Sequence, residues 1–396
     1  MMTKEEYYRS RDLLINKIAT SSNKEKKQLL TENSLFLENI DFICVDEKDG
    51  HDNFSEFLNT FSVNKEKIII PFYSNKIKVY NLQYVIGKKT TFRYMYDICL
   101  DTQVVSYIDR YIKGNLSKDL QEQIEWLHVA RKYHSVVNMD AYILENQIKN
   151  GEISDIMKEN IYSFFLFLNE PIMRRKKAER SSRKRLKLIL KFQGKAKYPL
   201  AVYELRYTII YCILMKIVLL KFEKTSIKNK MKKLIKFLNE EVYCLVPMFF
   251  PIALRYWKNK LNFFDKIVPN QKRILEILKN MSWDLFHWQN AMLTFNPNIY
   301  EISDVYVPIF FTMDKKFKKV IQAIKINCVV IDKQRNLIFP YYDLSEFDSL
   351  FSKKEMQELL GINQYKIREE NRGKADRKAL EKRLENEIID LGIFQS

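Results

Sequence analysis

Apolar and polar positions alternate in two ways along this chain, with strand-like runs near both ends and helical periodicity through the middle. Residues 3–38 repeat as charged amphipathic helices. Residues 67–72 and 76–82, rich in Ile, Val and Tyr, predict two short strands. The run 93–100 (RYMYDICL) is apolar enough for a buried strand, and 104–112 continues as helix. Helical periodicity then runs over 119–150, with Gly151 as its stop. A mostly helical stretch reaches about residue 240, and helix returns around 270–294. After it, 305–312 predicts a strand, 315–324 a helix and 326–331 another strand. Residues 353–390 predict a highly charged helix or helix pair with weak heptad character, a packing or oligomer element.

Strand–helix alternation on both sides of an all-helical middle implies an α/β domain interrupted by a helical insertion. The expected divisions are 1–90, an N-terminal extension of helix and short strand, and 91–150, the first half of the core. Residues 151–270 form the insertion, 271–335 the second half of the core, and 336–396 a charged helical C-terminal segment.

Composition supports that division. Hydrophobic residues at 46% and aromatics at 13% exclude wholesale disorder, and only 8 Gly and 9 Pro argue against a glycine-looped sandwich or barrel. The net charge of +18 changes the picture more, because it is local. Residues 171–197 hold twelve Lys and Arg against Glu179 alone, and 213–236 hold eight Lys against Glu223. The rest of the chain is neutral in sum. A single basic block implies a surface facing phosphates, with Arg174, Arg175, Lys176, Lys177, Arg180, Arg183, Lys184, Arg185 and Lys187 as the candidate nucleic-acid-binding residues. A solvated helix face without a partner is the competing explanation of such a run. Phe192, Tyr198 and Tyr203 interleave with the cations as candidate stacking groups, although most such aromatics are core.

Other classes drop out. The five cysteines, 44, 99, 212, 244 and 328, are widely spaced and suggest neither a disulfide framework nor a zinc knuckle. The opening residues MMTKEEYYRSRD contain no apolar stretch, so a cytoplasmic chain is expected. The most apolar run, 208–220, is 13 residues with Lys216 inside, too short to span a bilayer, and a membrane partner is not expected. There is no Gly-rich phosphate loop and no Ser-His-Asp signature.

Two segments carry chemistry. Ile98-Cys99-Leu100-Asp101-Thr102 is an apolar strand that delivers an Asp and turns into helix, and Phe310-Phe311-Thr312-Met313-Asp314 does the same. Ligand sites form at the C-terminal ends of parallel strands, and two carboxylates meeting there repel unless a divalent cation intervenes. A single strand-end Asp is more often a helix N-cap.

The order of these elements resembles the PIN-like metal-dependent nucleases. The resemblance rests on Leu100-Asp101-Thr102, then Glu145 within Ala141-Tyr142-Ile143-Leu144-Glu145, then Asp284 and His287 in Trp283–Ala291, then Thr312-Met313-Asp314. It covers roughly 93–150 and 275–332, and the 139 residues from Glu145 to Asp284 hold the whole basic block. The resemblance implies a three-layer α/β core with a parallel sheet, closed after Asp314 by a βαβ unit ending in the 326–331 strand. It also implies Asp101, Glu145, Asp284 and Asp314 as catalytic, metal-binding acids around Mg²⁺ or Mn²⁺, supported by Thr102, Thr312 and His287. Asp140 and Glu204 remain alternatives for the second acid. The function implied is a metal-dependent endoribonuclease, with RNA preferred over DNA as partner and a homo-oligomer through the C-terminal helix as a further expectation. The alternative is a non-catalytic nucleic-acid- or partner-binding protein on the same scaffold.

Overall fold

In a computed structural model, the structure describes residues 3–50, 68–72, 74, 76–88, 92–131, 135–151, 153–193, 197–268, 271–295 and 304–393. Its strands are β1 (Ile40–Val45), β2 (Ile68–Ile69), β3 (Ile77–Tyr80), β4 (Tyr94–Leu100), β5 (Ser135–Asn138), β6 (Val305–Phe311), β7 (Ile326–Asp332) and β8 (Leu337–Tyr342). They form two open sheets, ordered β2-β6-β4-β5 and β3-β1-β7-β8. The protein is therefore mixed α/β.

The first sheet positions the candidate site. β4 lies between β5 and β6, parallel to both, and β2 pairs antiparallel with the last two residues of β6. All seven residues of β6 are buried, as expected of a strand covered on both faces. β4 and β6 are in register from Tyr94 opposite Val305 to Leu100 opposite Phe311, so both strands deliver their chains to one edge at the same level.

The second sheet departs from the sequence expectation. β7, expected to close the parallel sheet, instead pairs antiparallel with β1 on one side and β8 on the other. Two features decide this: β2 takes the edge of β6 that a closing strand would need, and a hairpin after β7 supplies β8 as neighbour. A bridge from Phe72 to Ile326 links the two sheets. Cys44 and Cys328 lie opposite each other on β1 and β7 and are joined as a disulfide, a pairing that the sequence spacing does not suggest.

The helices are α1 (Lys4–Thr20), α2 (Asn23–Glu32), α3 (Thr102–Ile112), α4 (Lys118–Ala130), α5 (Asp140–Asn150), α6 (Asp155–Asn169), α7 (Arg175–Gln193), α8 (Lys197–Phe222), α9 (Ile227–Phe237), α10 (Phe249–Trp257), α11 (Ile274–Ala291), α12 (Lys315–Ala323), α13 (Lys353–Leu360), α14 (Ile362–Asn371) and α15 (Arg377–Ile393). The periodic stretch 119–150 is interrupted by β5, so α4 and α5 are separate helices. α5 ends at Gly151, whose φ of 70° is the left-handed conformation that a side chain would strain. The long apolar helix α8 packs against α5, α9, α10, α11 and α15. One continuous apolar core therefore runs from the parallel sheet through the helices between residues 151 and 270. A smaller core joins α1 and α2 to β1 and β7. Among the described residues no helix is long and apolar enough to cross a membrane.

Candidate active site

Because β4 and β6 run parallel in register, the residues just beyond them become neighbours. Asp101 follows Leu100 and its backbone N–H donates to the Phe311 carbonyl at 3.0 Å. Thr312 follows Phe311, and its hydroxyl donates to Asp101 Oδ2 at 2.6 Å. The same hydroxyl accepts from the backbone N–H of Asp314 at 3.1 Å. One threonine thus ties the two strand-end aspartates together.

The two aspartates are used differently. Asp101 stands at the N-cap position of α3, but its side chain does not cap the helix. The simplest structural explanation of a strand-end Asp therefore fails for this residue. Burial pushes its carboxyl up, against the lowering effects of the Thr312 hydroxyl and the charge of His287. Asp314 does cap its helix: Oδ1 accepts from the backbone N–H groups of Lys316 at 2.7 Å and Phe317 at 3.0 Å. Its Oδ2 takes no part in those bonds.

The other two acids come from helices that pack on each other, α5 and α11. Glu145 is buried, and its Oε2 accepts from the Thr102 hydroxyl at 2.6 Å and meets His287 Nε2 at 2.8 Å. Lys149, one turn further along α5, pairs with Oε1. Burial opposes the Glu145 charge, but the His287 hydrogen bond and the positive charges of His287 and Lys149 hold its carboxyl down at about 2. His287 is buried, and its Nδ1 has no hydrogen-bond partner among the described residues. His287 therefore orients Glu145 from within the core.

Asp284 lies one turn before His287 on the same side of α11. Its carboxyl is pushed well above the ordinary range, first by burial and then by the charges of Asp101, Asp314 and Glu145, with Lys149 opposing. Asp101, Asp314 and Glu145 thus all act on Asp284, and Glu145 acts on Asp101, near the C-terminal edge of the parallel strands.

Neither alternative second acid takes the place of Glu145. Asp140, at the start of α5, is exposed at the surface, and no charge of the cluster acts on it. Glu204 is exposed on α8, where its charge acts on Glu381 of α15. The cation of the cluster, Lys149, was not picked out from the sequence. Its spacing of four from Glu145 on a predicted helix was the available signal. Its ammonium also lies 5.5 Å from the centre of the Trp283 ring, which stacks on Tyr207 at 4.0 Å. Of the candidate stacking aromatics, Tyr203 packs edge-on against Phe286, while the side chains of Phe192 and Tyr198 lie outside the described residues.

The donor set is chemically suited to a hard divalent cation: four carboxylates supply oxygen, and Asp284 has no hydrogen bond or ion pair among the described residues. As they stand, no three His, Cys, Asp or Glu side chains among the described residues are spaced to hold one ion. No family model, curated protein or solved structure matches the chain.

Proposed function

We propose that the protein is a metal-dependent phosphodiesterase acting on nucleic acid, RNA in preference to DNA, on a PIN-like scaffold. The observation that carries this reading is that Asp101 and Asp314, tied together through Thr312 at adjacent parallel strand ends, act with Glu145 on the buried carboxyl of Asp284. Isolated caps or surface acids do not converge on one buried carboxyl; carboxylates gathered to surround a cation do. The strand order β5-β4-β6 and the Asp-Thr and Thr-x-Asp strand ends support the scaffold. The antiparallel placement of β7 is a departure from it.

In this reading, oxygens of Asp101, Glu145, Asp284 and Asp314 would hold Mg²⁺ or Mn²⁺, which would supply a water of lowered pKa and stabilise charge on the phosphate. The chain's own groups have separate tasks. Thr312 fixes the rotamer of Asp101. Thr102 and His287 fix that of Glu145. Lys149, half-exposed beside the acids, offers the remaining positive charge to an incoming phosphate.

The competing reading is a nucleic-acid-binding protein that does not cleave. It is favoured by the bonds already made by Asp101, Glu145 and Asp314, and by the absence, among the described residues, of three acids spaced for one ion. The two separate on one experiment. Asp101→Asn and Asp314→Asn each abolish Mn²⁺- or Mg²⁺-dependent cleavage of single- or double-stranded RNA and DNA, lowering the rate by at least about a hundredfold, while binding persists. Undiminished cleavage by both variants excludes this site, and no cleavage by the wild-type chain with either ion supports the binding protein.

A further inference from the structure

We propose that the solvent face of α7 holds the sugar–phosphate backbone of nucleic acid without reading its bases, and that the equally Lys-rich helix α9 takes no part. The proposal rests on the reading that the chain acts on nucleic acid, but not on cleavage.

In sequence the two basic stretches look alike; in the fold they are opposites. The lysines of α9 are engaged within the chain. Lys228 and Lys232 both pair with Glu355 of α13, at 2.9 and 2.8 Å, and Lys233 pairs with Glu223. Lys236 lies 3.7 Å from Glu240, and Lys230 donates to the Lys221 carbonyl at 2.8 Å. These cations fasten the C-terminal segment and the helix ends.

α7 does the reverse. Ala178 and Ser182 are buried, and Leu186 and Ile189 are half-buried, where the helix packs on α6; Asn169 donates to the Ser182 hydroxyl at 3.2 Å. At about 100° per residue, Lys176, Arg180, Arg183, Lys184, Lys187 and Lys191 fall within an arc of about 100° on the opposite side. All six are exposed, and none meets an acidic group among the described residues. Arg175, outside that arc, is the cation of the helix paired with Glu170 and Glu179. From Lys176 to Lys191 the row extends about 22 Å, over which one strand of a B-form duplex presents about six phosphates. The row is of the scale of a duplex backbone contact.

The surroundings select the partner. A helix that lies in a lipid surface needs its apolar side free, and here that side is packed on α6. Among the described residues of α7 no aromatic side chain stands in the cationic arc, so the row itself offers bases nothing on which to stack. The contact is to phosphates alone, strongly salt-dependent and indifferent to sequence.

The test measures binding by the full-length chain, with EDTA and no divalent ion, to short RNA duplexes of two unrelated sequences and to phosphatidylserine vesicles. The variant Arg180→Gln/Lys184→Gln/Lys187→Gln is expected to bind both duplexes at least about tenfold more weakly, with a log K against log salt slope shallower by about 2 to 3. Its thermal midpoint is unchanged, because none of the three is paired. The variant Lys232→Gln/Lys233→Gln/Lys236→Gln shifts duplex binding by less than about twofold. Equal loss in the α9 variant, an unchanged slope in the α7 variant, a strong preference for one duplex, or capture by vesicles in place of RNA each overturns the proposal. A chain that binds as described yet never cleaves removes the nuclease reading and leaves this one standing.

Discussion

The fold disfavours the charge of Asp284. Its folded pKa is raised, so the native state favours the protonated acid. The stability linked to that proton is present below the unfolded carboxylate pKa and lost as pH rises through the folded one. At neutral pH the ionised side chain opposes folding. Asp284→Asn is therefore expected to raise the thermal midpoint at neutral pH without divalent ions, with the gain shrinking as pH falls. On the proposed function, Mn²⁺ raises the wild-type midpoint and not that of Asp284→Asn; calorimetry with and without Mn²⁺ reads both effects. Legibility at this scale followed distance along the chain. Asp101 and Asp314 stand out because each ends an apolar strand. Lys149 did not, since its importance depends on α5 and α11 packing together, across a sequence gap that no periodicity reports.

At the level of elements, apolar runs located β4, β6, α3 and α12 to within a residue or two. The two-residue β2 and the whole of β1, β5 and β8 were not drawn at those lengths or at all. β5 has four residues and becomes a strand because β4 offers it a parallel partner, a non-local cause. The apolar run 326–331 predicts β7 as a strand but not its antiparallel sheet: buried alternation tells which residues go inside, not which edge they join. Helix ends were easier, because caps are local. At Gly151 nothing lies within 4 Å of an added Cβ, so the backbone alone resists substitution. Gly151→Ala is expected to destabilise the fold by about 1 kcal/mol through left-handed strain. Denaturant unfolding with an unchanged m-value checks this; no loss would mean that the end of α5 relaxes.

Across the whole molecule, the C-terminal helix expected to drive oligomerisation is engaged within its own chain. Leu380, Leu384 and Ile388 of α15 are buried, and the helix packs on α8 and α11, with Lys279 of α11 pairing Glu385 at 2.9 Å. Leu384→Ala is expected to cost about 2 to 5 kcal/mol of stability while leaving the molecular mass in solution unchanged. Equilibrium unfolding with light scattering separates that outcome from a broken oligomer. The basic block shows the same division between chain and fold. Composition placed the +18 between residues 171 and 236, because charge can be counted along a chain. Only tertiary structure separated the cations that Glu355 and its neighbours neutralise from the row on α7 that faces water. The sequence by itself determined the α/β character, the two strand-end aspartates and the position of the charge, all set by patterns a few residues long. The fold decided the partner of β7, the coupling of Glu145 to His287, and which cations remain free. Those outcomes depend on contacts between segments tens to hundreds of residues apart, which are settled when the whole core packs.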